Sequence, residues 1–387
     1  MGCPHLCTVW ASAIAALAAS AAMAAAPLPA DSLSQVESLP LPPAPHWVWV
    51  NDFAFSHMTN GKAMLVDGDS GHFLGELDTG FGAVRIVLSS DGALIYSPET
   101  YFSRGTRGTR TDVVTVYDAA RLAPVGEIEI PPKRSSNMPM MANALLTDDG
   151  RFLLIYNFTP AQSISVVDTR ARTFVGEIDT PGCALAYPTG PRAFFSLCAD
   201  GALLKVRLDD SGRGVGQERT APLFDVQTDP VTEKAVRRGD TWYFVSYGGT
   251  IHSVLIGKDG ADLTAGPHWS LTSDSERAQE WRPGGLQQLA VHAGLNRLYA
   301  IMHRGGPETH KDPGREVWVY DLDRHARVQK ITMQHDSGSI LVSRDAKPLL
   351  FSIFIESNVL DVYDAATGRH LRAVADIGTT PTIMVSP

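Results

Sequence analysis

Short apolar runs recur along the chain, each closing on an aspartate and followed by a polar turn and a second alternating run. The copies are AMLVDGDSGHFLGEL, VTVYDAARLAPVGEI, ISVVDTRARTFVGEI, LKVRLDDSG, VWVYDLDRHARVQKI and LDVYDAATGRHLRAV, with first runs ending at Asp67, Asp118, Asp168, Asp209, Asp321 and Asp364. A further copy, HSVLIGKDGADL, carries Gly257 at that place. The spacing is roughly 40 to 50 residues, lengthened between Gly257 and Asp321, and paired strands at that period are the mark of propeller blades. Between the copies lies a second apolar strand after a polar turn, as in Leu88–Tyr96, Leu146–Leu154 and Leu341–Phe351. Asp91-Gly92 and Asp149-Gly150 are hairpin signals, because glycine tolerates the positive φ of a tight turn. Each unit thus supplies about four strands, and seven units predict an all-β, seven-bladed β-propeller over residues 46–387. The repeated aspartates are expected to cap turns by accepting backbone N–H bonds. Trp318, Tyr320, Tyr363, Val116 and Val362 are expected to pack between blades.

Composition agrees with a folded chain: of 387 residues, 44% are hydrophobic and 19% charged, the reverse of a disordered balance. The net charge of −9 argues against nucleic acid or an anionic membrane as partner, since both select an excess of cations. Residues 1–26 read as a secretory signal: Met1–Ala30 has no Lys, Arg, Asp or Glu, its middle is alanine-rich, and small-residue cleavage patterns place the cut near Ala24–Ala26. The run is too weakly apolar for a stable membrane anchor. Residues 27–45, with Pro40, Pro42, Pro43 and Pro45, read as an extended arm.

Removing the leader removes Cys3 and Cys7 and leaves Cys183 and Cys198. An even count in an exported chain suggests a disulfide, whose loop closure would contribute about 3 kcal/mol. Two buried thiols or half of a metal site are the alternative readings, although neither CxxC nor HExxH occurs. No Walker loop, GxGxxG or GxSxG nominates an active site. His303 and His310 are candidate ligands but read more simply as solvated loop residues. Arg104, Arg107 and Arg110 form a local basic patch, suited to an acidic partner or to blocking a blade edge. The long interval, with Glu276–Gly285 and Arg304–Arg315, is extra material of the kind that builds binding surfaces on a propeller.

Taken together, these segments resemble the heavy subunit of the quinoprotein amine dehydrogenases, the methylamine and aromatic amine dehydrogenases. The resemblance rests on Trp47-Val48-Trp49-Val50-Asn51-Asp52, on Phe102-Ser103-Arg104 with Arg107-Gly108 and Arg110-Thr111-Asp112, on Trp281-Arg282-Pro283-Gly284-Gly285 with Gln287-Gln288, on His310-Lys311, and on Lys347-Pro348-Leu349-Leu350. It implies a periplasmic seven-bladed propeller without a redox cofactor of its own, and a disulfide between Cys183 and Cys198. It also implies a cysteine-rich light subunit carrying tryptophan tryptophylquinone, in an assembly of two heavy and two light chains. That assembly oxidises a primary amine to aldehyde and ammonia and passes electrons to a small blue copper protein of the amicyanin or azurin type. The family's heavy subunit places a phenylalanine at the mouth of the substrate channel just after the Val-Asn-Asp segment. Phe55 is taken as that residue here, with Phe53 beside it, although an ungapped match sets Ser56 at that position. Leu286, where the family has Trp, and Arg304-Gly305-Gly306-Pro307 depart from the pattern and bear on amine specificity and electron acceptor. Two other readings remain: a stand-alone periplasmic binding module, and a hydrolase with a metal held by carboxylates converging on the channel.

Overall fold

Alternating apolar and polar positions give strands with one face turned to each neighbouring sheet, and here they form seven antiparallel sheets arranged as a seven-bladed β-propeller. The computed structural model describes residues 37–82, 85–136 and 138–387, so the expected signal segment lies outside the described residues. Of the expected arm, residues 37–45 are described; Leu39 donates its N–H to the Ala120 carbonyl at 2.8 Å.

Blade 1 is built from both ends of the propeller. Its inner strand is Pro381–Val385, followed outward by Trp47–Asp52, Gly61–Asp67 and Phe73–Gly80. Blades 2 to 7 follow in chain order, their inner strands beginning at Val87, Ala144, Cys183, Val236, Trp281 and Ser339. In blade 6 the inner strand is split into Trp281–Pro283 and Leu289–His292, both pairing with Arg297–Arg304. The core is a ring of apolar layers between neighbouring sheets. Val50, Val66, Phe351 and Val362 join blades 1 and 7, and Tyr299, Ile331, Leu350 and Tyr363 join blades 6 and 7. Trp318, Tyr320, Tyr363, Val116 and Val362 are all buried; burying each such large side chain stabilises the fold by about 1.5–3 kcal/mol.

The repeated aspartates do what turn formers do. Asp118 Oδ1 accepts from the N–H groups of Ala120 and Arg121, Asp168 Oδ1 from Arg170 and Ala171, and Asp321 Oδ1 from Asp323 and Arg324. Where the series breaks at Gly257, a Cβ would stand 2.8 Å from that of Asp262, so the tighter turn excludes a side chain there.

His46 fastens the seam where the ring closes. Its Nδ1 lies 2.8 Å from Asp69 of blade 1 and its Nε2 3.2 Å from Asp345 of blade 7. Burial works against the charged imidazole, but the two carboxylates outweigh it and raise its pKa above the ordinary 6.5. A raised folded-state value means that the contribution is complete below pH 6.5 and is lost as pH rises through the folded-state pKa. Urea unfolding midpoints are expected to fall across that window, and His46→Asn to flatten the fall. Equal slopes in the two proteins would remove His46 from the account.

Candidate functional site: the face carrying Phe55

Strands in each blade alternate in direction, so the connections between second and third strands all emerge on one face, and those between first and second strands on the other. The segment following Trp47–Asp52 belongs to the first set. Asp52 accepts N–H bonds from Ala54 (2.9 Å), Thr379 (2.7 Å) and Thr380 (2.8 Å). These bonds hold Ala54 in the left-handed region at φ 46, a conformation that costs a non-glycine residue about 1 kcal/mol. The turn separates the two phenylalanines. Phe53 is buried at 4% exposure, whereas Phe55 is 65% exposed, with its N–H bound to Thr380 Oγ1 at 2.8 Å. Their rings remain neighbours, 5.5 Å between centroids.

Phe55 is not an isolated exposed ring. Met58 O accepts from the Gly82 N–H, which leads to Phe81, packed edge-on against Phe102 at 5.2 Å. Tyr101 is exposed at the same end of blade 2, and Met138 and Phe158 stand exposed on the same face near blade 3. Blade 2 rises above this face as the long hairpin Leu94–Arg104 and Arg107–Asp118, paired out to Arg104 and Arg107. Beneath it Glu99 is fully buried; burial pushes its carboxyl above the ordinary value, and hydroxyl donors on Thr115 and Tyr101 offset this only in part.

The basic patch expected on this hairpin is smaller than its sequence. Arg104 and Arg107 are exposed at the tip, but Arg110 is spent on Asp112, with Nε–Oδ1 at 2.8 Å and Nη2–Oδ2 at 2.7 Å. His303 and His310 are not brought together as ligands: His303 Nε2 meets Thr309 Oγ1 at 2.8 Å, and His310 stacks on Tyr247 at 3.9 Å. Among the described residues no group of three or more His, Cys, Asp or Glu is placed to hold a metal. The extra material before Trp281 is tied down by Glu276, whose carboxylate bonds Arg327 at 2.8 Å and caps a short helix through the Ser273 N–H. Burial disfavours its charge, yet these partners hold its pKa down at about 2.

The disulfide between Cys183 and Cys198 is formed, joining directly opposed residues of the two inner strands of blade 4. The WRPGG–QQ segment is a fastening. Gly285 adopts φ +116, where a Cβ would stand 2.4 Å from the Gly338 carbonyl. The chain passes through that gap to place Gln287, whose Oε1 accepts from Met384 N–H at 2.8 Å and whose Nε2 donates to Met384 O at 3.2 Å. Gln288 Nε2 donates to Thr232 Oγ1 on the other side. Blade 6 is therefore bonded directly to the closing strand of blade 1.

The described residues thus form a seven-bladed propeller with a disulfide in its fourth blade, a fastened closing strand and several exposed aromatic and apolar side chains around Phe55. Residues 45–387 match the family of methylamine dehydrogenase heavy chains, and the chain belongs to that family. It is 34% identical over 344 residues to the methylamine dehydrogenase heavy chain of Paracoccus versutus, covering 88% of this chain and 79% of that one. The heavy chain of Methylophilus methylotrophus is 30% identical over 341 residues, 87% of this chain and 82% of the relative. Similar solved structures share the fold alone. The periplasmic gluconolactonase of Pseudomonas aeruginosa has a TM-score of 0.59 at 13% identity, over 88% of this chain and 98% of that one. A putative 6-phosphogluconolactonase from Bacteroides fragilis has 0.58 at 11%, over 92% and 99%.

Proposed function

We propose that this chain is the heavy subunit of a periplasmic amine dehydrogenase, covering a light subunit that carries tryptophan tryptophylquinone. The observation supporting this most directly is the face on which Phe55, Tyr101, Met138 and Phe158 stand exposed, since stable heteromers bury apolar surface of this kind. The quinone would be held by the partner and would take up two electrons as the amine and one water give aldehyde, ammonia and two protons. This chain's part is to shape the approach. Phe55, held out by the Asp52 turn, narrows the way in, and buried Phe53 supports it from behind. Electrons leave singly to a small blue copper protein of the amicyanin or azurin type, and two heavy and two light chains make up the assembly. No helix among the described residues is long and apolar enough to cross a membrane.

Two measurements test this reading. Material from the native host should carry a small second chain with quinone absorbance; the heavy chain alone would favour a stand-alone binding module. In the assembled enzyme, Phe55→Ala should shift KM for amines by about ten-fold, the scale on which a pocket contact discriminates substrates, at unchanged Tm. Phe53→Ala, which empties a buried site, should instead cost about 3–4 kcal/mol of stability. Unchanged KM values across a series of amines would take Phe55 out of the channel.

A further inference from the structure

The propeller's central channel holds a cavity of about 380 Å³ whose lining contains no carboxylate side chain, although the chain as a whole is acidic. Its charged lining is cationic: Arg85, Lys234, Arg237, Arg238 and Arg344. Most of these charges are already engaged. Arg237 is bidentate to Asp148 at 2.6 and 2.9 Å; Arg238 lies 3.9 Å from Asp323; the Lys234 ammonium donates to the carbonyls of Gly285 and His310. His292, which also lines the cavity, is engaged as well: its Nδ1 accepts from the Leu295 N–H and its Nε2 lies 2.9 Å from Asp345 O.

Two guanidiniums are left over. Among the described residues Arg85 binds the carbonyls of Met141 and Ala144 through Nη1, and its Nε is a buried donor without a partner there. Arg344, in the turn between the first two strands of blade 7, is exposed and lines the cavity. It has no hydrogen-bond or ion-pair partner among the described residues. The two groups are near enough to repel: burial first, and Arg344 second, pull Arg85 down to about 10, still charged at neutral pH. Two like charges lining one cavity, with no carboxylate among the lining residues to neutralise them, suit an oxyanion. Met141, Leu145, Leu289 and Leu341 give the wall an apolar part, and the volume lies at the lower end for small-molecule sites.

We infer that the channel binds a small organic carboxylate, its oxygens between Arg85 and Arg344 and its apolar body against Met141, Leu289 and Leu341. The lining runs from the segments that lead into the inner strands, at Arg85 and Met141, to the first-to-second-strand turns at Gly239, Ala293 and Arg344. Calorimetric titration of the full chain with benzoate, neutral benzamide and sulfate tests the inference. Benzoate should bind with one-to-one stoichiometry, and benzamide and sulfate each about ten-fold or more weakly, the loss expected when a charge-assisted pair or the apolar contact is missing. Arg344→Gln, whose parent side chain holds nothing in place, should weaken benzoate by a similar factor at unchanged Tm. Arg85→Gln should do the same, with some loss of stability from its two carbonyl bonds. Equal binding of benzoate and benzamide, no binding of either, wild-type affinity in Arg344→Gln, or sulfate binding as tightly as benzoate would each overturn it.

Discussion

Gln287→Ala should lower the unfolding free energy by about 2–4 kcal/mol, the cost of leaving a buried donor and a buried acceptor without partners. Gln287 is 4% exposed, and both its amide atoms are committed to the backbone of Met384. Removing it strips the closing strand of its bonds to blade 6 and leaves the Met384 N–H and carbonyl facing the void. The loss should be local before it is global: amide exchange of Pro381–Val385 should accelerate more than that of blade 4. Gln287→Glu should fare no better, because it keeps the acceptor but replaces the donor with a buried charge. A variant within about 0.5 kcal/mol of the parent, the range of an ordinary surface change, would show that the fastening is dispensable.

The second large effect concerns blade 4. Cys183→Ala/Cys198→Ala should cost about 3 kcal/mol, the loop-closure entropy of a separation of this length. The paired residues are 15 apart and buried among Phe194, Phe195 and Leu203. Chemical reduction of the parent should reproduce the same loss in a urea titration, since the variant and the reduced protein share an unconstrained unfolded state. Coincident curves for the oxidised and reduced forms would mean that strand pairing alone holds this hairpin.

The repeat made the blades legible because one local rule, an aspartate accepting N–H bonds at a strand end, is written seven times with one substitution at Gly257. Phe55 was legible only by its distance from Val50-Asn51-Asp52; that Phe53 turns inward while Phe55 turns outward depends on the left-handed backbone of Ala54, for which alanine gives no signal. Trp281–Gln288 stood out as a family mark, but its work is a contact with Met384, far along the chain, and no periodicity announces such a partner. Arg85 and Arg344 were hidden for the same reason. One sits in an irregular connection and the other reads as a turn residue, and only closure of the ring turns two scattered cations into one charged wall. The hairpin arginines erred the other way: three close in sequence looked like one patch until Asp112 took Arg110.

The position of Pro381–Val385 in blade 1 also bears on how the molecule is made. This strand is synthesised after all six other blades, yet it pairs with Trp47–Asp52 near the beginning, so the first blade stays open for most of translation. A nascent chain of this design has no means of locking its ring early, and long-range pairing of this kind forms slowly. Such a chain stays an open arc until its last strand is made, and only then can the ring shut.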